Sequence, residues 1–305
     1  MSVESVAFNK CLASGRTNEA EILLCLATTF EEDMAALERQ SYQLSSDILQ
    51  WLLVIAGSMV MFMQAGFAML CAGCVRKKNV VNTMLKNMMD CCMAGLAYYT
   101  VGYAFTHGQG GTFLGFENFF GFGTIDFSFW FFQYTFQAAS VTIVAGTLAE
   151  RCKMTSYFAY SFFLCSVVYP VVARAIWGAT GFLSAFAEDP LGGIGAVDFA
   201  GSGVVHCTGG ITALLATIIL GPRQGRFHDE EGNLLEEPKV IHGHSTALQL
   251  LGTFILWYGW YGFNCGSALL LGENVDTATV ATQVAVNTTV SSYNSYISSI
   301  VWQIV

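Results

Sequence analysis

The sequence predicts an all-α fold, a polytopic membrane helix bundle, on three observations. The 305 residues are 54% hydrophobic and only 11% charged, with a mean hydropathy of +0.51, whereas soluble domains carry roughly 25% charged residues. Apolar runs of about 20 residues, the length that crosses the hydrocarbon core of a bilayer, recur along the chain. The charged residues fall between these runs, so that each run ends at a polar loop.

About seven spans follow from these runs and their polar boundaries. The predicted spans cover residues 48–75, 83–105, 128–149, 155–180, 198–220, 246–271 and 277–304. Basic residues end the first and third spans, and Pro170 is a candidate kink in the fourth, because neighbouring helices can satisfy the carbonyl that it frees. The seventh span is rich in Ser and Thr and has the weakest apolar signal.

The basic residues of the loops predict the orientation of the bundle. The loops after the first, third and fifth spans hold Lys and Arg, and the loops after the second, fourth and sixth hold none. Basic residues mark the cytoplasmic side in short loops. We therefore expect the N-terminus outside, with residues 1–47 as an acidic extracellular tail and residues 48–305 as the transmembrane domain. If the tail is extracellular, Cys11 and Cys25 could form disulfides, within or between chains.

Several classes of function find no support. No P-loop, nucleophile elbow or Rossmann glycine pattern is present, and no basic face suggests nucleic-acid binding. The spacing of the cysteines and histidines supports no metal site. Without a catalytic motif or a metal site, we expect no enzyme activity, no metal and no cofactor. Lys86 and Asp90 lie four residues apart in the second span, where a simple salt bridge is the expected arrangement.

The stretch Asp198-Phe-Ala-Gly-Ser-Gly-Val-Val-His206 opens the fifth span and holds its only ionisable groups. A carboxylate at Asp198 can cap a helix N-terminus. The glycines at 201, 203, 209 and 210 should let another helix approach closely. His206 lies about two turns into an apolar run, where an ionisable residue is a functional candidate, although a lone histidine is often simply satisfied by a neighbour. Asp198 is expected to cap the helix rather than to touch His206.

Aromatic residues on three spans allow two interpretations. Phe132 and Phe136 share a face of the third span, where they either pack ordinarily or line a narrow apolar conduit. In the sixth span Trp260, Phe263 and Ser267 project from one face. Together with Trp177 they could form an interfacial aromatic belt, or an outer vestibule whose rings attract a small cation.

These stretches resemble the ammonium transporter family, especially its plant-like eukaryotic branch. The matching segments are Gln64-Ala-Gly-Phe-Ala-Met-Leu-Cys-Ala-Gly, Gly146-Thr-Leu-Ala-Glu-Arg151, Tyr169-Pro-Val-Val with Trp177, residues 198–206, Gly221-Pro-Arg-Gln-Gly-Arg-Phe227, Gly243-His-Ser245 and residues 257–267. The resemblance covers about residues 45–290. It implies eleven helices, an outside N-terminus and a homotrimer with one pore in each subunit.

The resemblance also implies roles for single residues. Phe136, Trp177 and Ser267 match the outer recruitment site for ammonium or methylammonium, and Phe136 and Phe263 match the stacked gate beneath it. Asp198 matches a structural carboxylate that favours cation binding. His206 matches the first of two pore histidines. The implied mechanism is recruitment of the cation, its deprotonation, and passage of the neutral molecule through an apolar pore in the plasma membrane.

The second pore histidine and the last four helices of the family have no counterpart in this sequence, so we expect it to be truncated at its C-terminal end. Two other interpretations stay open. One is a seven-span receptor or ammonium sensor, which fits the number of spans. The other is a non-conducting fragment that interferes with full-length subunits.

Overall fold

The computed structural model describes residues 9–13, 18–271 and 275–304, with side chains through residue 291 of the last segment. Those residues form helices and loops with no β-strand, only three isolated bridges between loop residues. The predicted all-α class is therefore confirmed. The chain divides into two compact units, residues 1–51 and residues 52–305. Each candidate site residue lies in the second unit. Residues 1–8 and 14–17 of the predicted tail lie outside the described residues.

The helices follow the predicted order. They are α1 (Glu19–Cys74), α2 (Val80–Ala97), α3 (Tyr103–His107), α4 (Phe127–Leu148), α5 (Met154–Phe163), α6 (Tyr169–Trp177), α7 (Thr208–Leu220), α8 (Thr246–Trp260) and α9 (Thr277–Ile304). The stretch at 277–304, which carried the weakest signal, is helical throughout.

The first helix begins far earlier than the predicted span. It is continuous from Glu19, whereas the predicted span begins at residue 48, after a stretch interpreted as a tail. No Gly or Pro occurs between Glu19 and Gly57, and Ala, Leu, Glu and Gln are frequent there. These residues have high helix propensity. The change from polar to apolar residues near residue 48 indicates where the predicted span begins. Polar residues before that point do not prevent the helix from starting earlier.

The described part of the first unit contains one disulfide. Cys11 and Cys25 are bonded to each other. The sequence left open a disulfide within a chain or one between chains, and the structure shows the disulfide within a chain. The cysteines of the CxxC motif, Cys71 and Cys74, are both free thiols.

Four helical stretches of the second unit contain a π-turn: Tyr98–Gly102, Leu164–Val168, Ser202–Cys207 and Tyr261–Cys265. The second of these directly precedes α6, which has Pro170 in its first turn. Proline has no backbone N–H to donate, and the wider π-turn accommodates the hydrogen bond that is missing from the helix. The third and fourth π-turns carry His206 and Phe263, so both candidate residues lie on locally widened backbone.

The glycines of the fifth span differ in what they do. A Cβ on Gly209 would lie 2.8 Å from the Ser140 carbonyl oxygen of α4, so this glycine does permit a close helix approach. Gly201 has a φ of +85°, which glycine adopts readily. Gly210 faces open space, with no atom within 4 Å of the position that a Cβ would take. The prediction that every one of these glycines serves helix packing was therefore wrong for Gly210.

Three helical stretches among the described residues are long and apolar enough to cross a membrane: Glu19–Cys74, Met154–Trp177 and Ser202–Leu220. The other helices occupy the places predicted for the remaining spans. The number of spans and the outside N-terminus stay predictions.

Candidate functional site

A cavity of about 370 Å³ lies at one end of the second unit and gathers most of the candidate site residues. Four of these residues line it: Phe136, Trp177, Asp198 and Ser267. Each comes from a different part of the chain, in turn α4, α6, the loop before α7 and the stretch that follows α8. The structure thus brings together side chains that lie far apart in the sequence. We call this space the outer cavity.

Two phenylalanine rings form a stack at the outer cavity, whose wall includes Phe136. Phe136 and Phe263 are stacked, with ring centroids 3.9 Å apart and planes inclined by 23°. Both side chains are buried, at 2% and 0% exposure. The ring of Phe132 lies against Phe136 at 4.7 Å. A stack this close leaves no room for a cation with its hydration shell, so any passage between the rings requires one of them to rotate.

Hydrogen bonds fix the polar groups of the outer cavity. Trp177 Nε1 donates to the Asp198 carbonyl oxygen at 2.7 Å, which holds the indole plane beside Phe136, at 6.1 Å between ring centroids. Ser267 Oγ donates to the Phe263 carbonyl oxygen at 2.8 Å. Because its single proton is used in this way, the hydroxyl oxygen of Ser267 is left to accept a hydrogen bond from a ligand. A ligand with N–H groups suits this arrangement.

Asp198 acts through the backbone. Its Oδ1 accepts from Gly201 N and Ser202 N, both at 2.9 Å, and its Oδ2 accepts from Gly203 N at 3.0 Å and Val204 N at 2.7 Å. The carboxylate therefore caps the start of the fifth helical segment, as predicted, and it makes no hydrogen bond to His206. With four backbone donors on its two oxygens, its contribution to a ligand is negative charge rather than a direct bond.

A second cavity, of about 440 Å³, lies beyond the phenylalanine stack. His206 lines it together with Trp260, Asn264 and Thr288. The His206 ring lies 5.5 Å from the Phe263 ring. Asn264 Nδ2 donates to Thr288 Oγ1 at 2.9 Å, which ties α9 to the end of the sixth span. We call this space the inner cavity. Successive ring contacts, from Trp177 to Phe136, Phe263 and His206, connect the linings of the two cavities, and Phe199 lines both of them.

The expected salt bridge between Lys86 and Asp90 does not form. Lys86 Nζ instead donates to the Cys152 carbonyl oxygen at 2.7 Å and lies over the Tyr157 ring. Asp90 accepts from Tyr157 Oη at 2.5 Å and from Ser161 Oγ at 3.0 Å. The prediction considered only the helix that carries both residues. The neighbouring helix α5 and the turn before it supply a carbonyl and two hydroxyls, which separate the two charges.

An ionic cluster joins three loops at the opposite end of the second unit. Glu150 Oε1 lies 3.0 Å from Arg76 Nε, its Oε2 lies 3.3 Å from Arg223 Nη1, and Asn79 also donates to it. Burial alone would raise the pKa of Glu150, but the hydrogen bonds from Asn79 and Arg76 and the charge of Arg76 outweigh it and lower the pKa. The loops after the first, third and fifth spans therefore meet at one end of the bundle, as alternating spans require.

Two polar lining residues of the outer cavity, His107 and Gln133, were missed by the sequence reasoning. His107 ends α3 and contributes to the cavity wall, with its ring 4.9 Å from that of Phe129. In the sequence it stands at the start of a loop rich in Gly and Phe, with no periodic apolar pattern to place it. Only the path of that loop brings it to the site. Gln133, on α4, is a further lining residue that the sequence did not single out.

Comparison with known proteins identifies relatives of this chain. A sequence model described as "Ammonium Transporter Family" matches residues 51–303, which extends the resemblance beyond residue 290. Ammonium transporter Amt2 of Archaeoglobus fulgidus is 46% identical over 264 residues, covering 83% of this chain and 54% of the relative. Ammonium transporter 1 member 3 of Solanum lycopersicum is 46% identical over 220 residues, covering 70% of this chain and 46% of the relative.

Solved structures show the same likeness. The structure titled "Sensor Amt Protein" is 33% identical with a TM-score of 0.65, covering 76% of this chain and 57% of that one. Candida albicans Mep2 is 30% identical with a TM-score of 0.59, covering 72% and 48%. The chain spans about half the length of the curated relatives that it matches. The match to the family model over most of the sequence establishes that this multi-pass membrane chain belongs to the ammonium transporter family.

Proposed function

We propose that this chain forms a conduction path for ammonium, which runs from the outer cavity past the phenylalanine stack to His206. The observation that carries the proposal is the order of the three sites. A cavity with aromatic faces, a hydroxyl acceptor and a capping carboxylate is followed by the stack of Phe136 on Phe263, and then by a cavity lined by His206. Relatives that bear the name ammonium transporter support the choice of substrate.

The outer cavity supplies the interactions that a small hydrated cation needs when it loses water. The faces of Trp177 and Phe136 attract positive charge. Ser267 Oγ accepts an N–H of the cation, and the carboxylate of Asp198 adds a favourable field. Ammonium and methylammonium fit this set because each joins a positive charge to several N–H donors. We assign Phe136, Trp177 and Ser267 to recruitment on these grounds.

The phenylalanine stack and the space beyond it disfavour passage of the charged ammonium ion. An unpaired ion in an apolar passage is strongly disfavoured, and a neutral molecule is not. We therefore propose that ammonium loses its proton near the stack, that Phe136 and Phe263 rotate to admit the neutral molecule, and that the His206 imidazole hydrogen-bonds to it on the inner side. The proton takes a separate or relayed route.

The remaining parts of the proposal concern the whole protein. We propose a homotrimer in the plasma membrane with the N-terminus outside. Residues 1–47 then form an extracellular tail before the transmembrane domain. The orientation rests on loop charge, since Arg76, Arg151 and Arg223 follow alternate spans, and two of them meet at Glu150.

Uptake of labelled methylammonium into proteoliposomes that hold the purified chain tests the proposal. Trp177→Leu removes an aromatic face and should raise the half-saturating concentration about 2- to 30-fold, the effect of one cation–π contact. Trp51→Leu is the matched control, because Trp51 is 70% exposed and lies outside the cavity. Absence of uptake by the wild-type chain, or equal effects of the two substitutions, contradicts the proposal.

A further inference from the structure

His107 is a polar side chain in the outer cavity that the proposed recruitment site does not use. Its ring contributes to the cavity wall together with Phe129 and Trp177. It packs against two aromatic rings, Phe129 at 4.9 Å and Tyr103 at 5.2 Å between centroids. Its Nε2 is buried and makes no hydrogen bond with any described residue. A buried polar atom without a partner costs stability. A small rotation of the ring would turn this nitrogen towards the cavity that the same side chain lines, where a ligand can supply the missing partner.

Arg174 holds the backbone around His107 in place. Its Nη1 donates to the carbonyl oxygens on both sides of the histidine, to Thr106 at 3.1 Å and to Gly108 at 2.7 Å. Its Nε donates to Gly111 at 3.2 Å and its Nη2 to Thr180 Oγ1 at 2.9 Å. One guanidinium thus fixes the turn that carries His107. A side chain on backbone held in this way is preorganised for a ligand.

The surroundings keep the His107 imidazole neutral. The residue lies two positions beyond the predicted end of the second span at Phe105. Burial lowers the pKa of His107, and the charge of Arg174 lowers it further. The other charged group of the outer cavity, Asp198, has both carboxylate oxygens bound to backbone N–H groups. A neutral imidazole has one nitrogen that accepts a hydrogen bond, whereas an imidazolium has none.

From this geometry we propose that the His107 imidazole is a further recruitment residue, which accepts a hydrogen bond from an N–H of the cation in the outer cavity. The inference rests on the proposed function and deepens it. The rings of Phe136 and Trp177 attract any small cation, with or without N–H groups. Ser267 Oγ and His107 recognise the N–H groups themselves. Two acceptors on the wall of one cavity distinguish ammonium and methylammonium from alkali cations and from quaternary amines of similar charge.

Equilibrium binding by the purified full chain tests this assignment, with tryptophan fluorescence as the readout. The two probes are methylammonium, which has N–H donors, and tetramethylammonium, which has none. His107→Phe keeps an aromatic ring but loses the acceptor. It should raise the Kd for methylammonium about 10- to 150-fold, the effect of one hydrogen bond to a charged ligand. The Kd for tetramethylammonium should stay within about twofold, because its binding needs only charge and aromatic faces.

Two further variants complete the design. His107→Gln restores an acceptor and should bring the methylammonium Kd back to within about threefold of wild type. His228→Phe is the matched control for the substitution itself, because His228 is exposed in a loop away from the cavity. Equal weakening of both probes by His107→Phe means that the ring only shapes the cavity, and it overturns the assignment. An unchanged Kd for both probes also overturns the assignment. A wild-type chain that binds neither probe overturns the proposed function as well, which separates the two failures.

Discussion

At the scale of single residues, Asp198 and Ser267 show how the site uses its polar groups. Asp198 accepts four backbone N–H groups, and Ser267 donates its one proton to the Phe263 carbonyl oxygen. Each side chain thus has its orientation fixed by the backbone. What remains for a ligand is the negative charge of Asp198 and the acceptor oxygen of Ser267. Both properties favour a cation with N–H groups over an anion.

Asp198→Asn tests the role of the carboxylate. The amide presents its NH₂ group to two of the backbone N–H donors, so that those donors lose their acceptor. We expect the free energy of unfolding to fall by about 1.5–3 kcal/mol, the range for hydrogen bonds to a charged group. Thermal unfolding in detergent measures the change. Asp189→Asn is the control, because Asp189 is exposed; a similar small effect of both substitutions argues against the capping role.

The ionic cluster predicts a dependence of stability on pH. The pKa of Glu150 is lower in the folded chain than its ordinary value of 4.5. A carboxylate with a lowered pKa stabilises the fold above its unfolded pKa and loses this effect as the pH falls through the folded pKa. Wild type should therefore exceed Glu150→Gln in stability by a constant amount at pH 6–8. The difference should shrink below about pH 4.5.

Unfolding curves of the two proteins between pH 3.5 and pH 8 check this sign. Arg76, Asn79 and Arg223 face the carboxylate. A stability difference that grows towards acid pH contradicts the account of the cluster.

At the scale of helices, close crossings depend on glycines with no space for a side chain. A Cβ on Gly252 of α8 would collide with Leu70 N and lie 2.6 Å from the Gly66 carbonyl oxygen of α1. Small residues allow this kind of approach between helices in membranes. Gly210 of α7 is also helical, but a Cβ there meets nothing within 4 Å. The two positions share a residue type and a secondary structure and differ only in their neighbours.

The same substitution at both positions measures what the crossing requires. Gly252→Ala forces atoms apart and should destabilise the chain by about 1–3 kcal/mol. Gly210→Ala should leave stability unchanged or raise it by up to about 1 kcal/mol, because alanine is the better helix former. Denaturant titration in detergent gives both values. Equal effects at the two positions would rule out the close crossing.

The ends of a helix could be predicted from the sequence where they coincide with the ends of an apolar run. They were predicted less well where helix propensity alone extends the helix. The predicted spans at 128–149 and 277–304 agree with α4 and α9 to within about a residue. The start of α1, many residues before the predicted span at 48–75, was not predicted, because a polar helix has no apolar boundary to reveal it. The π-turns leave no signature in the pattern of residue types, since the same residues also suit an ordinary α-helix.

The site could be predicted in part for a similar reason. Asp198 and His206 stand out as ionisable residues in an apolar run, and spacing places Phe263 and Ser267 on one face. His107 could not be found in this way, because its position depends on the loop that Arg174 holds. The partners of Lys86 and Asp90 were missed because they come from another helix and the turn before it. Contacts within one helix follow from spacing, and contacts between helices require the fold.

At the scale of the second unit, the stack of Phe136 on Phe263 forms an aromatic barrier, with Trp177 of the outer cavity against one ring and His206 of the inner cavity against the other. Phe136 comes from α4 and Phe263 from the end of the sixth span, so the barrier depends on how those elements pack. Apart from Asp198 in the outer cavity, the charged groups described above lie away from the stack. Glu150 and its arginines lie at the far end, and Lys86 and Asp90 bond to α5 and the turn before it. This separation suits the passage of a neutral molecule between two polar sites.

The most direct test of this account is methylammonium uptake into proteoliposomes by wild type and His206→Ala, measured over a wide range of concentrations. His228→Ala controls for the loss of a histidine in an exposed loop. If the path runs through the inner cavity, His206→Ala abolishes uptake or admits ions that wild type excludes, while His228→Ala transports normally. If His206→Ala transports methylammonium like wild type at every concentration and with unchanged selectivity, the path does not pass His206 and the account is wrong.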